Sequence, residues 1–189
     1  RHERIRFTLK DHILSYKDMR YFGNLKIFDA DGLKAYVESR KLGVDAFTKT
    51  RYDLQMQLVK KIYEPRYKDK PIKGLLLDQT IISGLGNIYV SEVLFASGIH
   101  PLRTPSKTGF NEIKLIARNI EGVIALSYEV GGSSIKDYVG VDGTEGNFSE
   151  YMEVYGRKGK PCNTCESIIE VVKIDGRSSF FCPKCQLLE

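Results

Sequence analysis

The stretch SGLGNIYVSEVLFASGIHP, residues 83–101, decides how the middle of this chain folds. Gly84, Gly86 and Asn87 come directly before apolar residues whose spacing is typical of an amphipathic helix. The first backbone N–H groups of a helix have no partner within the helix, and the helix dipole is positive there, so an anion is favoured. Glycines let a phosphate approach the backbone, and Asn87 can donate to that phosphate or cap the helix. An ordinary helix cap explains these residues about as well.

The composition is compatible with an anionic partner. Lys and Arg exceed Asp and Glu by 29 to 24, which gives the 189 residues a formal net charge of +5. An excess of this size is found in nucleic-acid-binding proteins, and it also serves solubility alone. No apolar run approaches the roughly 20 residues of a membrane span, and no secretory signal pattern opens the chain. We therefore expect a soluble, intracellular protein.

The first 30 residues alternate between apolar and polar side chains, which is typical of β-strands. We predict strands at residues 4–9, 13–19 and 25–28. The alternation is already running near Arg1, and three strands with open edges make a poor domain. We expect these strands to be the remnant of a larger sheet, and the chain to be part of a longer protein.

From about residue 30 to residue 131 the apolar pattern is helical. Asp31 is expected to cap a first helix, and Thr50 or Asp53 to open a second. A long helix is predicted from about residue 110 until shortly before Gly131, with the apolar face of a core helix. The following loop, residues 131–151, is rich in Gly, Ser and Asp. Loops of this length within compact domains are uncommon and tend to be functional.

All four cysteines lie near the end of the chain, in two Cys-x-x-Cys pairs with 16 residues between them: Cys162, Cys165, Cys182 and Cys185. The intervening residues alternate like a hairpin that turns at Asp175-Gly176. Four thiolates at this spacing are typical of a zinc ribbon with one structural Zn(II), since four cysteine ligands leave no open position for a substrate. Two disulfides or an iron site are the alternatives, and we favour zinc because nothing suggests secretion or a cluster-type spacing.

The hairpin would hold Arg177 outward beside its glycine turn. A guanidinium there suits a phosphate oxygen or a DNA groove. A solvated turn arginine is the alternative.

Read together, several motifs resemble the bacterial formamidopyrimidine-DNA glycosylase family, which is related to endonuclease VIII. They are DMRYFG (residues 18–23), LLLDQTIISGLGNIYVSEVLFASGIHP (75–101), VYGRKGKPCNTC (154–165) and GRSSFFCPKCQ (176–186). The resemblance implies a mixed α and β fold with three parts. These are the remnant of an N-terminal β-sandwich (1–30), a helical domain with a helix, two turns, helix motif and a loop over the lesion (31–151), and a four-Cys zinc ribbon (152–189).

The resemblance also implies a function in DNA repair. The family members are base-excision DNA glycosylases with AP lyase activity that act on oxidised purines such as 8-oxoguanine and formamidopyrimidines. The expected partner is double-stranded DNA with a damaged base. We expect no membrane partner. We expect a monomer in the bacterial cytoplasm, associated with the nucleoid.

Site residues follow from the same resemblance. Asn87 and the backbone of residues 84–86 match the family's phosphate clamp, and Arg177 matches a DNA-binding arginine credited with proton donation in the final elimination. Arg20 and Phe22 match the pair that replaces the extruded nucleotide. His2, Lys68 and Tyr155 match further DNA contacts of the family. Lys73 and Lys136 match positions near its lesion pocket.

The resemblance fails at the catalytic N-terminus. The family begins with Pro-Glu, whose proline amine is the nucleophile, and carries a lysine on an early hairpin; neither can be placed here. Tyr21 stands where a second basic residue is common. We expect a fragment that grips DNA and is inactive alone. The alternative is a non-catalytic module that binds kinked or abasic DNA, while a zinc-ribbon protein without a nucleic-acid role leaves most of these motifs unexplained.

Overall fold

A computed structural model describes residues 2–19, 21–133 and 146–188. It forms two compact units, Arg1–Ser39 and Arg40–Glu189. The strands are β1 (Glu3–Thr8), β2 (Ile13–Lys17), β3 (Val44–Asp45), β4 (Ile82–Ser83), β5 (Glu170–Ile174) and β6 (Arg177–Phe181). The helices are α1 (Ala30–Ser39), α2 (Arg51–Ile62), α3 (Ile72–Leu77), α4 (Asn87–Ala96) and α5 (Phe110–Glu129), with short 3₁₀ helices at Pro65–Tyr67, Pro105–Lys107 and Phe148–Tyr151.

The first unit contains an antiparallel pair of strands and one helix. β1 and β2 pair so that Phe7 faces Leu14 and Thr8 faces Ile13. The predicted third strand is wrong: residues 22–29 form neither strand nor helix, because no described strand supplies the ladder hydrogen bonds that it would need. The helix that follows is capped by Asp29 and not by Asp31, since a carboxylate oxygen of Asp29 accepts the Gly32 amide at 2.7 Å.

The second unit has a helical core in which α2 and α4 both pack against α5. The long predicted helix is confirmed as α5, and its buried face repeats at helical spacing through Ile113, Ile116, Ala117 and Ile120. From the other two helices come Leu54, Leu58 and Ile62 of α2, and Val90, Val93 and Leu94 of α4. Thr50 opens α2 with a reciprocal capping box to Asp53, so both residues that the sequence suggested take part.

α3 and α4 are joined by two turns that one side chain organises. The Gln79 amide donates to the carbonyl oxygens of Leu77 (3.1 Å) and Leu85 (2.9 Å), while its oxygen accepts the Gly84 amide at 3.0 Å. Gly84 has a φ of +90°, a conformation that side chains disfavour. Within the same turns, β4 pairs in parallel with β3. The predicted helix, two turns, helix motif is therefore present, and it fixes the backbone directly ahead of α4.

The C-terminal hairpin is the one that the cysteine spacing indicated. β5 and β6 are antiparallel, with Ile174 opposite Arg177, so the connection is a two-residue turn. That turn is Asp175-Gly176, both with positive φ, as the sequence predicts for a tight hairpin.

Among the described residues, we find no helix with the length and apolar character that a membrane crossing requires.

Two glycines offer a matched test of the packing. A Cβ at Gly43 would lie 2.1 Å from the carbonyl oxygen of Ile81, whereas a Cβ at Gly122, within α5, would have nothing within 4 Å. We predict that Gly43→Ala lowers the free energy of unfolding by about 1–3 kcal/mol, because backbone must shift. Gly122→Ala should raise it by about 0.5–1 kcal/mol, because alanine favours helix. Urea titrations followed by circular dichroism measure both free energies of unfolding. If both variants change this free energy in the same direction, the packing described here is contradicted.

Candidate nucleic-acid interface and zinc centre

The four cysteines of the ribbon converge on one point. Their sulfur atoms all lie within 4.8 Å of one another, with Cys162 Sγ 4.0 Å from Cys185 Sγ and Cys165 Sγ 3.4 Å from Cys182 Sγ. Zn–S bonds of about 2.3 Å in a tetrahedron place sulfurs about 3.8 Å apart, which these separations match. The donor set is therefore suited to one structural Zn(II), and it holds the two ends of the hairpin together.

The start of α4 presents an open backbone. Gly86 occupies the cap position, where it has no side chain to accept the first helical amides, and a Cβ there would meet nothing within 4 Å. Asn87 is the first residue of the helix and not its cap. Open amide groups and an unobstructed approach are what an anion needs at a helix start.

The Asn87 side chain reaches to the zinc hairpin instead. Its amide donates to the carbonyl oxygen of Ser178 at 3.0 Å, and the ammonium of Lys73 approaches the same oxygen at 3.4 Å. Lys73 also donates to the Ser91 hydroxyl at 3.1 Å. One carbonyl at the start of β6 thus joins α3, α4 and the ribbon. The amide oxygen of Asn87 is buried and has no hydrogen-bond partner among the described residues.

Among the described residues, no carboxylate neutralises the charge of Lys73. Its side chain is completely buried, and both of its hydrogen-bond partners are uncharged oxygens. Burial, and then repulsion from the neighbouring Arg177, lower the pKa of Lys73 from 10.5 to about 8. Arg177 is exposed, and no carboxylate in the described parts of the chain pairs with it. Two cations therefore lie side by side at the open helix start.

Two further buried side chains fix the ribbon against the helices. Glu92 of α4 accepts the backbone amides of Glu153 (2.8 Å), Val154 (3.2 Å) and Tyr155 (2.8 Å). Burial raises the pKa of Glu92, against the lowering effect of these three amides. Gln186 donates to the carbonyl oxygen of Ile99 at 2.8 Å and accepts the Cys182 amide at 2.9 Å. The hairpin is thereby held in one position relative to α4.

A cavity of about 730 Å³ lies beside the N-terminal turn of α4. Ile88 and Tyr89 of α4, Ile124 of α5 and the glycines at residues 131–132 line it. The Tyr89 and Ser127 hydroxyls are 2.6 Å apart at its wall, and the Tyr89 ring stands edge-on to Phe148. The lining is mainly apolar with a few hydroxyl groups, which is typical of small-molecule and nucleobase pockets.

In the first unit, Asp18 shapes the segment that carries Phe22. Its carboxylate accepts the amides of Tyr21 (3.0 Å) and Gly23 (2.7 Å), and the Arg4 guanidinium lies 3.4 Å above the Tyr21 ring. Phe22, which a strand pattern would place in a core, is instead 83% exposed.

The sequence matches two family models. The model of the formamidopyrimidine-DNA glycosylase H2TH domain covers residues 42–139, and the zinc finger found in FPG and IleRS covers residues 159–187. The first match spans more than half of the chain and includes both turns and α4. The chain belongs to the formamidopyrimidine-DNA glycosylase family. The zinc-finger match, with the sulfur geometry, confirms one structural Zn(II) on the four cysteines.

Relatives named formamidopyrimidine-DNA glycosylase align with nearly all of the chain. The protein of Streptococcus pyogenes serotype M18 is 39% identical over 189 residues, and that of Mycoplasma mobile is 36% identical over 190 residues. These alignments cover 98% and 99% of this chain but 66% of each relative. The chain thus spans slightly less than two thirds of the length of these formamidopyrimidine-DNA glycosylases.

Solved structures agree with the family. The complex between the Lactococcus lactis Fpg and an abasic site containing DNA superposes with a TM-score of 0.87 at 32% identity, covering 99% of this chain and 67% of the other. MutM in complex with carbocyclic 8-oxo-G containing DNA gives a TM-score of 0.86 at 32% identity, covering 99% and 66%. The expected mixed α and β glycosylase fold is confirmed.

The structure brings some of the predicted site residues together and separates others. Lys73, Asn87 and Arg177 form one cluster at the helix start. Lys73 does not line the 730 Å³ cavity. Lys68 is exposed after the 3₁₀ helix Pro65–Tyr67, and Tyr155 packs edge-on against Phe180 with ring centroids 5.0 Å apart.

The other predicted positions lie elsewhere. His2 belongs to the first unit, where its carbonyl oxygen accepts the Asp18 amide at 3.0 Å. Arg20, Lys136 and most of the predicted loop at 131–151 lie outside the described residues. The described ends of that loop meet at a β-bridge between Ser133 and Asn147.

Sequence reasoning missed the residues that position the turns and the zinc ribbon around the start of α4. Gln79, Glu92 and Gln186 make buried or turn-forming contacts that no local motif indicates. Glu92 did offer a signal, since it is the only charged residue in α4, most of whose residues are apolar. A carboxylate in such a position requires partners from elsewhere in the fold.

The buried Lys73 predicts a pH dependence of stability. Its folded pKa of about 8 lies below the unfolded value of 10.5, so between these values the unfolded state binds more protons and stability rises with pH. We expect the unfolding free energy of the wild type to gain on the order of 2 kcal/mol between pH 7.5 and 10, relative to Lys73→Met. Urea titrations of both proteins at each pH measure the difference. Parallel pH curves would show that Lys73 titrates normally.

Zinc removal should disorder the hairpin, because two strands are not stable alone. We predict that Cys162→Ser, or a strong chelator, abolishes the ribbon's protection from amide hydrogen exchange and also DNA binding. Added Zn(II) should restore the chelated wild type but not the variant. A chelated protein with full protection and DNA affinity would contradict a structural role of the metal.

Proposed function

We propose that this chain is the DNA-gripping part of a base-excision DNA glycosylase with AP lyase activity. Its substrates are oxidised purines, such as 8-oxoguanine and formamidopyrimidines, in double-stranded DNA. The protein acts as a monomer in the bacterial cytoplasm, in association with the nucleoid. The residues at 1–30, 31–151 and 152–189 contribute strands of a larger domain, the helical DNA-binding domain and the zinc ribbon.

The observation that carries this proposal is the pair of cations Lys73 and Arg177, to which the described residues supply no carboxylate partner. A buried ammonium without a carboxylate is costly, and a second cation beside it adds to the cost. A DNA phosphate placed between Arg177 and the open amides of α4 relieves both charges and meets the Asn87 side chain. Asn87 and Lys73 also hold the Ser178 carbonyl, so they position the arginine as well as the phosphate.

The cavity beside α4 supports the proposal further, because a glycosylase needs a pocket for the base as well as a site for the DNA phosphate. An enzyme that cleaves a base from its sugar turns the nucleotide out of the duplex and binds the base in a pocket. The cavity lies next to the phosphate site, because Ile88 and Tyr89 directly follow Asn87 in α4. Its volume of about 730 Å³ is ample for a purine.

By resemblance to the family, we assign to the exposed Phe22 the role of replacing the extruded nucleotide. Turning a base out costs a few kcal/mol of unstacking, and an inserted aromatic ring recovers part of that energy. The Asp18 carboxylate holds the flanking amides, so that the ring is presented on a fixed turn. We assign Arg20 to the orphaned base, and His2, Lys68 and Tyr155 to further DNA contacts.

The chemistry belongs to the full-length protein in this proposal. An amine nucleophile attacks the sugar C1′, the base departs, and the Schiff base promotes strand cleavage. Within this chain, Arg177 contributes by holding the phosphate and by donating a proton in the final elimination.

Charge removal at the clamp tests the DNA-binding part of the proposal. We predict that Arg177→Ala weakens duplex binding at least tenfold and reduces the slope of log affinity against log salt by about one, because one phosphate contact is lost. Asn87→Ala should weaken binding with a smaller change in slope, because the amide is neutral. Fluorescence anisotropy over a salt series measures both quantities.

Lys60→Ala is the matched control, since it removes one exposed positive charge from α2, away from the clamp. It should leave affinity within about twofold. If Lys60→Ala and Arg177→Ala lower affinity equally, the protein attracts DNA only through its overall charge.

Borohydride trapping tests the catalytic part of the proposal. We expect the full-length protein to form a covalent adduct with a duplex that carries 8-oxoguanine opposite cytosine, and this 189-residue chain to bind the duplex without one. Mass spectrometry of the product locates the amine. An adduct on this chain would place a nucleophile within it, whereas no adduct on either protein would favour a non-catalytic module for kinked or abasic DNA.

A further inference from the structure

The turn that carries Phe22 includes a residue in a conformation that its side chain disfavours. Tyr21 has a φ of +60°, in the left-handed region, where a bulky aromatic residue is uncommon and costly. Such a conformation persists only where surrounding contacts hold it, and residues held in this way cluster at functional sites. Because Tyr21 directly precedes Phe22, the contacts that fix Tyr21 also set the direction in which Phe22 leaves the turn.

Hydrogen bonds and close packing attach the backbone of this turn to the β1–β2 hairpin. The Asp18 carboxylate accepts the amides of Tyr21 and Gly23, and the Asp18 amide donates to the carbonyl oxygen of His2 at 3.0 Å. A Cβ at Gly23 would lie 1.6 Å from the Tyr16 hydroxyl oxygen, so this glycine lies directly against β2. These contacts involve the backbone of Tyr21 and not its ring.

Arg4 of β1 supplies the contact to the ring. Its guanidinium carbon lies 3.4 Å from the centroid of the Tyr21 ring, and its Nε donates to the Asp18 carbonyl oxygen at 2.9 Å. A cation over the face of a tyrosine is attracted by the ring electrons. Among the described residues, no carboxylate lies within ion-pair distance of Arg4. The guanidinium therefore joins the ring of Tyr21 to the backbone of Asp18.

We propose that Arg4 and Tyr21 are a pair of positioning residues for Phe22. The guanidinium stacked on the ring keeps Tyr21 in its left-handed conformation, and so keeps Phe22 ready to enter the duplex. This inference rests on the proposed function, which assigns Phe22 to the place of the extruded nucleotide. Tyr21 is 73% exposed, so its ring adds little to a core. A side chain that is already in place loses less conformational freedom on binding, which favours affinity.

Backbone order in the DNA-free protein tests the pair directly. We expect ¹⁵N relaxation to give order parameters of about 0.85 for the amides of Tyr21 and Phe22 in the wild type, and below about 0.6 in Arg4→Leu and Tyr21→Leu. Tyr21→Phe keeps the ring and should match the wild type. Order parameters that do not change in the two leucine variants would overturn the proposal.

Lys10→Leu is the matched control for charge. Lys10 is an exposed cation that follows β1, whereas Asp18 and the turn follow β2 at the opposite end of the hairpin. Its removal should leave both order parameters at their wild-type values. A decrease as large as that of Arg4→Leu would show that any lost charge loosens the hairpin, and would overturn a specific role of the stack.

Tyr21→Gly separates the ring from the backbone conformation. Glycine adopts a positive φ without strain, but it adopts other conformations as readily. We therefore expect Tyr21→Gly to lose order at Phe22 and affinity for damaged DNA, as Tyr21→Leu does. If Tyr21→Gly keeps both at the wild-type level, the ring and its stack are not needed, and the proposal is wrong.

DNA binding tests whether the pair acts through Phe22. Anisotropy with a duplex that contains a tetrahydrofuran abasic analogue should show a loss of about three- to fivefold for Arg4→Leu and for Tyr21→Leu, and of less than about twofold for Lys10→Leu. In a Phe22→Ala background the first two substitutions should have little further effect. Equal losses with and without Phe22 would show that Arg4 and Tyr21 act on DNA independently, which contradicts a positioning role.

The two measurements distinguish this inference from the proposed function. If Phe22→Ala binds the abasic duplex as tightly as the wild type, the role assigned to Phe22 in DNA is refuted. Lower order parameters in Arg4→Leu and Tyr21→Leu would still support the pair as positioning residues. If Phe22→Ala weakens binding but both leucine variants keep wild-type order and affinity, the role of Phe22 stands and the positioning pair is refuted.

Discussion

The interface depends on one carbonyl group, that of Ser178. It accepts the Asn87 amide and the Lys73 ammonium, and so connects the start of α4, the short helix α3 and the zinc hairpin. Because Lys73 is buried and no described carboxylate pairs with it, the same contact leaves positive charge at the helix start. The position of the hairpin and the positive charge beside it therefore have a common origin.

The zinc ion and the buried polar residues have complementary tasks. Four thiolates hold the two ends of the hairpin together, but they fix nothing outside it. Glu92 and Gln186 attach the ribbon to the helices, the first through three consecutive amides and the second through the Cys182 amide and the Ile99 carbonyl oxygen. Each is buried and satisfied, so displacement of the ribbon would leave polar groups unpaired.

Charge and shape divide the surface around α4 into two regions. Lys73 and Arg177 lie where open amides and an asparagine also favour an anion, while the described residues that line the adjoining cavity are uncharged. A nucleotide has the same two parts, a charged phosphate and a neutral planar base. The order of residues in α4 brings the regions together, because Asn87 belongs to the first and Ile88 and Tyr89 to the second.

The sequence alone determined the local elements of this protein. The spacing of the cysteines and the Asp175-Gly176 turn specified the zinc hairpin, and helical periodicity specified α5, since both depend on contacts between residues near in the chain. The same reasoning misplaced a strand at residues 25–28 and the cap at Asp31. A strand requires a pairing partner, which the local sequence does not reveal. Asp29 and Asp31 are both near the start of α1, and the sequence does not show which of them caps it.

Only the tertiary structure decided what the polar residues do. Lys73 and Ser178 are 105 positions apart, Glu92 and Tyr155 are 63, and Gln186 and Ile99 are 87. No short-range pattern encodes such pairs, because packing of apolar helices brings them together and burial then makes their hydrogen bonds obligatory. The sequence indicated Asn87 and Arg177 as candidates, whereas only the fold showed the buried Lys73 beside them and the adjoining cavity, whose described lining residues are uncharged.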